Sequence, residues 1–307
     1  MLCCARAQDK HDHISVTVRG KVVIPRSDVQ LLPADTVSVY ERVTVMNAAY
    51  IDYYIPMKVS AEYMRLVDRA NDVDHSRSVI ARVRGRTIGI ALVGLRSGRA
   101  WIGGVGVVPE WRRRGVARAM MRRIQEDLRD LGVRNVILEV LIQNDAARRL
   151  YGMLGFVGKR DLLSWYRRPD SITPDQGPTL TPVPADVLLM RSQDWLGSDP
   201  SWQNERSALR RMSEHLQGYT LTLDDDEAAF CVVNDRTTTV SVMSVGVRPG
   251  LDHGDAARQL LDGVIASYPQ RAVHLTNLSA DDPLCRLLPQ IRFAVTAHQL
   301  EMSCAVG

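Results

Sequence analysis

Residues 103–117 read GGVGVVPEWRRRGVA, and the fold is best read outward from this stretch. An apolar, strand-like run, Gly103–Val108, stops at Pro109, and from Gly115 the spacing of apolar residues becomes helical. Val116, Met120, Ile124, Leu128 and Leu131 follow at steps of 4, 4, 4 and 3, one face of a helix that Gly132 can end. A strand that turns tightly into a helix start presents free amides and the positive end of the helix dipole. Gly115 and Ala117 keep that turn clear of side chains, so a diphosphate can approach the backbone closely. Arg112, Arg113 and Arg114 add positive charge beside it. The pattern is neither G-x-G-x-x-G nor G-x-x-x-x-G-K-[ST]. Taken alone, the RRRG tetrad is equally a basic, solvated helix start.

Downstream, Val136–Ile142 is almost continuously apolar, as expected of a strand covered on both faces, and Glu139 is its one acid. Asn144 or Asp145 can cap a second helix, Ala146–Leu154, ended by Gly155; a last strand covers Leu162–Tyr166. Upstream, Asp35–Ala49 and Ser60–Ala70 have helical patterns. Strands at Ser78–Val83, Thr87–Leu95 and Trp101–Val108, parted by Gly85 and Ser97-Gly98, suggest an antiparallel meander. The class is α/β: a mixed, mostly antiparallel sheet flanked by helices. Val240–Val247, Gly254–Ser267, Ala272–Leu278 and Pro283–Leu288 repeat the later part of that order. Placing Gly115 on Gly254 and Phe156 on Phe293 makes the chain a tandem duplication. The expected organisation is a disordered tail over 1–13, a first domain over 14–166, a proline-rich linker over 167–184 and a second domain over 185–307.

The 307 residues carry 39 Lys+Arg against 35 Asp+Glu, a net charge of +4, with 45% hydrophobic residues; two ordinary globular domains fit these figures. No apolar run reaches the length of a spanning helix, and Met1–His13 has no apolar signal core, so membrane and secreted readings fall. The five cysteines include no CxxC pair, which points to a reducing cytoplasm. Cys3, Cys4, His11 and His13 match no zinc spacing, and no metal is expected. Six arginines crowd residues 112–123, but Glu126, Asp127 and Asp130 break any basic stripe, so nucleic acid is not expected as a partner.

The segment Val107-x-Pro-x-x-Arg-x-Arg-Gly-x-Ala117 resembles motif A of the Gcn5-related N-acetyltransferase (GNAT) superfamily. Glu139-Val140 with Asn144-x-x-Ala147-x-x-Leu150-Tyr151-x-x-x-Gly155-Phe156 is similar to its motif B, especially in ribosomal-protein N-terminal acetyltransferases. Ala117 stands where glycine is commonest, a mild departure. The resemblance implies acetyl-CoA as co-substrate, lying between two splayed strands. It places Val105 and Val107 against the pantetheine arm, the amides of Arg112, Arg113, Arg114, Gly115, Val116 and Ala117 on the pyrophosphate, and Asn144 on the pantetheine. It also places Tyr151 near the sulfur.

The chemistry needs a neutral amine and a proton for the departing thiolate, so a base and an acid are required. Glu139 is the candidate base, since burial raises a carboxylate's pKa; alternatively a buried arginine satisfies it and it is structural. Tyr151 is the candidate acid, or else a packing tyrosine. Asp52, Tyr53 and Tyr54 are candidates to hold a cationic amine, or equally to pack the two domains together. In the second copy, Leu251-Asp252-His253 replaces the arginines and Leu288 replaces Tyr151, which marks it as degenerate. No cysteine falls in either motif, so direct transfer through a ternary complex is expected. The leading reading is an acyl-CoA-dependent N-acyltransferase acting on a small-molecule amine. The alternatives are a protein or peptide N-terminal or lysine acetyltransferase and a non-catalytic acyl-CoA sensor.

Overall fold

The computed structural model describes residues 28–169, 177–191, 193–235 and 238–306, and a hairpin of β1 (Thr17–Val18) with β2 (Lys21–Val22). The tail expected over residues 1–13, with Cys3, Cys4, His11 and His13, lies outside the described residues, as do residues 170–176 of the expected linker.

The first half contains β3 (Gln30–Pro33), α1 (Val39–Ala49), α2 (Ala61–Ala70), β4 (Val79–Val83), β5 (Arg86–Arg96), β6 (Arg99–Val107), α3 (Val116–Asp130), β7 (Asn135–Leu141), α4 (Asp145–Met153) and β8 (Val157–Arg167). The second contains β9 (Thr181–Pro184), α5 (Ala185–Leu188), α6 (Arg206–Arg211), β10 (Gln217–Leu223), β11 (Asp226–Asn234), β12 (Thr239–Val247), α7 (His253–Ser267), β13 (Ala272–Ser279), α8 (Leu284–Leu287) and β14 (Ala294–Ala305).

Local chemistry sets the helix ends. Ser38 accepts from the Glu41 amide and so starts α1 at Val39, later than the expected Asp35, which lies in a short 3-10 turn. Ser60 caps α2 through the Tyr63 amide. Along α3 the stripe Val116, Met120, Ile124 and Leu128 is buried as expected, but Leu131 falls at the C-cap and is 45% exposed.

Strands β3 to β14 join one sheet in the order β3-β4-β5-β6-β7-β14-β8-β13-β12-β11-β10-β9. Only β6–β7 and β12–β13 pair parallel. The centre of the sheet is an exchange. β14, from the second half, lies against β7 of the first, while β8, from the first, lies against β13 of the second. β8 and β14 pair with each other between them. Met302, Cys304 and Val306 accordingly belong to the first half's apolar core.

The two halves repeat one another in detail. β6 and β12 both end in Val-Gly-Val, and α3 and α7 each have 15 residues. Gly155 and Arg292 share a left-handed backbone, with φ of 87° and 65°. The Phe156 amide donates to Tyr151 O and the Phe293 amide to Leu288 O, each at 3.0 Å. The helix starts, however, align Gly115 with Asp252 rather than with the expected Gly254. Eight residues separate Val107 from Val116 and only five separate Val247 from His253, so the second copy's turn is three residues shorter.

Candidate active site

β6 pairs with β7 only over Arg99–Trp101 and Asn135–Ile137; past that point the two strands part and leave a gap. The Val108 amide donates to Ile88 O on the β5 side. Strand alternation therefore turns Val105 and Val107 toward the gap. Their carbonyls are already engaged: Tyr50 Oη donates to Val105 O at 3.1 Å and Arg112 Nε to Val107 O at 3.0 Å. Their amides face the same opening.

Beyond β6 the chain makes one 3-10 turn, Pro109–Trp111, and enters α3 through Arg113 and Gly115, with φ of 64° and 83°. Gly115 has no Cβ to strain that conformation and no side chain to cap the helix. The first bond inside α3 runs from the Ala119 amide to Gly115 O, so the amides of Gly115, Val116, Ala117 and Arg118 have no helical acceptor. Free amides at a helix start make a cradle that can hold an anion, here at the mouth of the gap.

The three arginines differ. Arg113 is exposed and the Arg114 guanidinium lies 4.9 Å from the centroid of the Trp111 ring. Arg112 turns away from the cradle: its amide donates to Pro109 O, and its guanidinium to Ala49 O and, at 2.6 and 2.7 Å, to both oxygens of Asp52. Arg112 and Asp52, expected on the phosphate and on the acceptor, thus hold each other. The pair ties the loop after α1 to the cradle and keeps the Asp52 carboxyl below its ordinary pKa.

Tyr50, Tyr53 and Tyr54 form edge-on contacts in series, with centroids 4.8 and 5.6 Å apart. Tyr53 also hydrogen-bonds Asn144, which caps α4 by accepting from the Ala147 amide. Tyr54 is mostly exposed. Tyr151, on α4, is buried against Phe156, and its hydroxyl has no hydrogen-bond partner among the described residues. Burial pushes both the Tyr151 and the Tyr50 phenols up, so both stay protonated.

Glu139 lies on β7 just past the point where β6 leaves it. Leu138 and Val140 face the core, so Glu139 faces the other side, toward Trp101 and Gln203. Its Oε2 accepts from Trp101 Nε1 at 2.7 Å and from Gln203 Nε2 at 3.3 Å, while Oε1 is buried without a partner. Burial pushes the carboxyl up to about 7; Glu301 adds to the rise, and the Trp101 and Gln203 bonds and Arg160 oppose it. Among the described residues no arginine forms an ion pair with Glu139. The nearby guanidinium of Arg160 goes instead to Glu301, at 2.9 Å.

Three residues of this site were not anticipated. Trp101 lies flat over Gly103, where a Cβ would run into its ring, and stacks on Trp202 with centroids 6.3 Å apart. Gln203 comes from the second half. Glu301 on β14 stands directly opposite Glu139, is 0% exposed and is paired to Lys159 and Arg160. No local pattern marks Gln203 and Glu301, because a distant loop and the exchanged strand bring them in.

Beside Glu301 and Ile137 opens a chamber of about 520 Å³, roofed by residues 199–210 of the second half. That volume is in the range of small-molecule pockets. The corresponding gap between β12 and β13 is filled by the chain's own residues. Leu196 bridges Gly246 antiparallel, Asn204 Nδ2 donates to Thr276 O, and about 50 Å³ remains. Asp252 caps α7 with its own carboxylate, in the position where an anion would sit. Thr276 and Leu288 stand where the first half has Glu139 and Tyr151.

Residues 45–156 match the Acetyltransferase (GNAT) family, and the matched stretch lies within the first half. Enzymes of this family use acetyl-CoA as co-substrate. Solved structures share the fold over both halves. A GCN5-related N-acetyltransferase from Sphaerobacter thermophilus, 19% identical, covers 92% of this chain and 97% of its own, with a TM-score of 0.66. A tandem GNAT protein from the clavulanic acid biosynthesis pathway, 15% identical, covers 91% and 99% with a TM-score of 0.68. A putative acetyltransferase from Pyrococcus horikoshii, 15% identical, covers 96% and 92% with a TM-score of 0.62. Among the described residues no cluster of His, Cys, Asp and Glu forms a metal site, and no helix is long and apolar enough to cross a membrane.

Proposed function

We propose that the first half transfers an acetyl group from acetyl-CoA to the primary amine of a small molecule, by direct attack in a ternary complex. The observation that carries this reading is Glu139: a carboxyl raised to about 7, with one unpartnered oxygen, where β6 and β7 part. The amides of Val105 and Val107 take the pantetheine arm and the Gly115–Ala117 turn takes the pyrophosphate, with Arg113 and Arg114 beside it. Asn144, with Tyr53, borders the arm. The amine nitrogen attacks the thioester carbon and its proton passes to Glu139. The C–S bond then breaks, and the thiolate takes a proton from the Tyr151 hydroxyl.

Direct transfer is supported by the placement of the described cysteines. Cys231 and Cys285 lie in the second half, and Cys304 packs beneath Leu154 and Gln125. A small acceptor is supported by the half-enclosed chamber beside Glu301, whose volume of about 520 Å³ is in the range of small-molecule pockets. A non-catalytic sensor has no use for Glu139 and Tyr151 together. Calorimetric titration with acetyl-CoA tests the cofactor site. One site per chain is expected, lost in Gly115→Asp, which adds a negative side chain at φ of 83°. Two sites, or an unaffected variant, would overturn the assignment of the cradle.

A further inference from the structure

We infer that the acceptor is an anionic amine, a primary amine that also carries a carboxylate or a phosphate, bound by its negative group in the chamber between the halves. The inference rests on the transferase reading above and adds the acceptor's chemical class.

The chamber is placed to deliver an acceptor. Glu301 forms part of its floor and is the cross-strand partner of Glu139, so the two Cα atoms are neighbours about 5 Å apart. The gap between β6 and β7 opens on one side of Glu139 and the chamber lies on the other. A molecule of a few bonds' length that rests in the chamber can therefore present its amine at Glu139.

The charge of the chamber selects the acceptor. Five basic side chains line it, Arg99, Lys159, Arg160, Arg206 and Arg210, against the three acids Asp199, Glu205 and Glu301. Arg99 is bound by both oxygens of Glu205. Lys159 and Arg160 share the single carboxylate of Glu301. Arg206 donates to the Arg191 carbonyl, which neutralises nothing, and Arg210 has no ion-pair or hydrogen-bond partner among the described residues. A net positive field remains in a half-enclosed space, where it is screened less than at an open surface. A polyamine is repelled there and an uncharged amine gains nothing. Arg160 is also held at the Asp199 and Pro200 carbonyls, so part of the cationic wall is rigid before any ligand arrives.

The test is release of the CoA thiol from acetyl-CoA with matched acceptors: phosphoethanolamine against ethanolamine, β-alanine against propylamine, and spermidine. The anionic member of at least one pair is expected to have a kcat/KM about tenfold higher or more, and the pair that shows the gain tells phosphate from carboxylate. Arg210→Gln and Lys159→Gln should each raise the KM of that acceptor about tenfold and leave the KM for acetyl-CoA unchanged. Preference for the uncharged amine or for spermidine overturns the inference, as does a KM that neither variant moves. Absence of turnover with every acceptor while acetyl-CoA still binds also overturns it. Failure of acetyl-CoA to bind refutes the transferase reading instead.

Discussion

Replacing Trp101 by Phe removes one hydrogen atom that matters, the indole N–H held 2.7 Å from Glu139 Oε2. The phenyl ring still lies over Gly103 and against Trp202, so the packing is largely kept. The lost bond favours the ionised carboxylate, and a hydrogen bond to a charged group contributes about 1.5–3 kcal/mol. At 1.36 kcal/mol per decade, that moves the Glu139 titration upward by about one pH unit or more. A base works only when ionised, so the acidic limb of the kcat/KM profile should move from about 7 to higher pH by the same amount. Near neutrality this corresponds to a loss of about fivefold, recovered about two pH units higher. The assay is thiol release followed across that range, with acetyl-CoA affinity measured by calorimetry as a control. If the limb stays where it is while activity falls uniformly, Trp101 acts by packing alone, and Glu139 is not the proton acceptor.

The remaining predictions use the same carboxylates and the phenol. Glu301→Gln removes a negative neighbour and leaves Lys159 and Arg160 unbalanced, so the acidic limb should move to lower pH, opposite to Trp101→Phe. Tyr151→Phe should cut kcat about 10²–10⁴-fold with acetyl-CoA affinity unchanged; equal turnover makes Tyr151 a packing residue only. Glu139 binds its proton more tightly folded than unfolded, so its contribution to stability falls as pH rises from 4.5 to about 7. Glu139→Gln should therefore raise the melting temperature above that window, by the equivalent of about 1–3 kcal/mol, and leave it unchanged below the window. Thermal melts at the two ends distinguish these outcomes.

The β6–α3–β7–α4 segment was legible because its signals are local: a change of period at Gly115, an apolar run broken by one acid, and a capping Asn144. The β10–β11 hairpin was missed, although Asp224-Asp225, both left-handed at φ of 51° and 65°, is a turn signal of the kind that marks hairpins. β14 was missed for a different reason. Its residues, AVTAHQLEMSCA, alternate weakly because both edges pair and its two faces have different neighbours. The Arg112–Asp52 pair spans sixty positions and the Glu139–Gln203 bond sixty-four, and no window along the chain contains either. Charge counted in the RRRG tetrad also overstated what meets a ligand, since Arg112 is occupied within the protein.

The exchanged strands also have a consequence for synthesis. β7 is made long before β14, and while the intervening residues are translated it waits with an unpaired edge carrying Val136, Leu138 and Val140. At about 5–20 residues per second, that wait lasts about ten to thirty seconds. An open apolar edge is a template for pairing with other chains, so the nascent protein passes through a vulnerable interval that the finished one does not have. The same delay acts as a safeguard: no ribosome-bound fragment that lacks β14 has the Glu139–Glu301 pair, so the surroundings of the Glu139 carboxyl are completed only when the second half has been made.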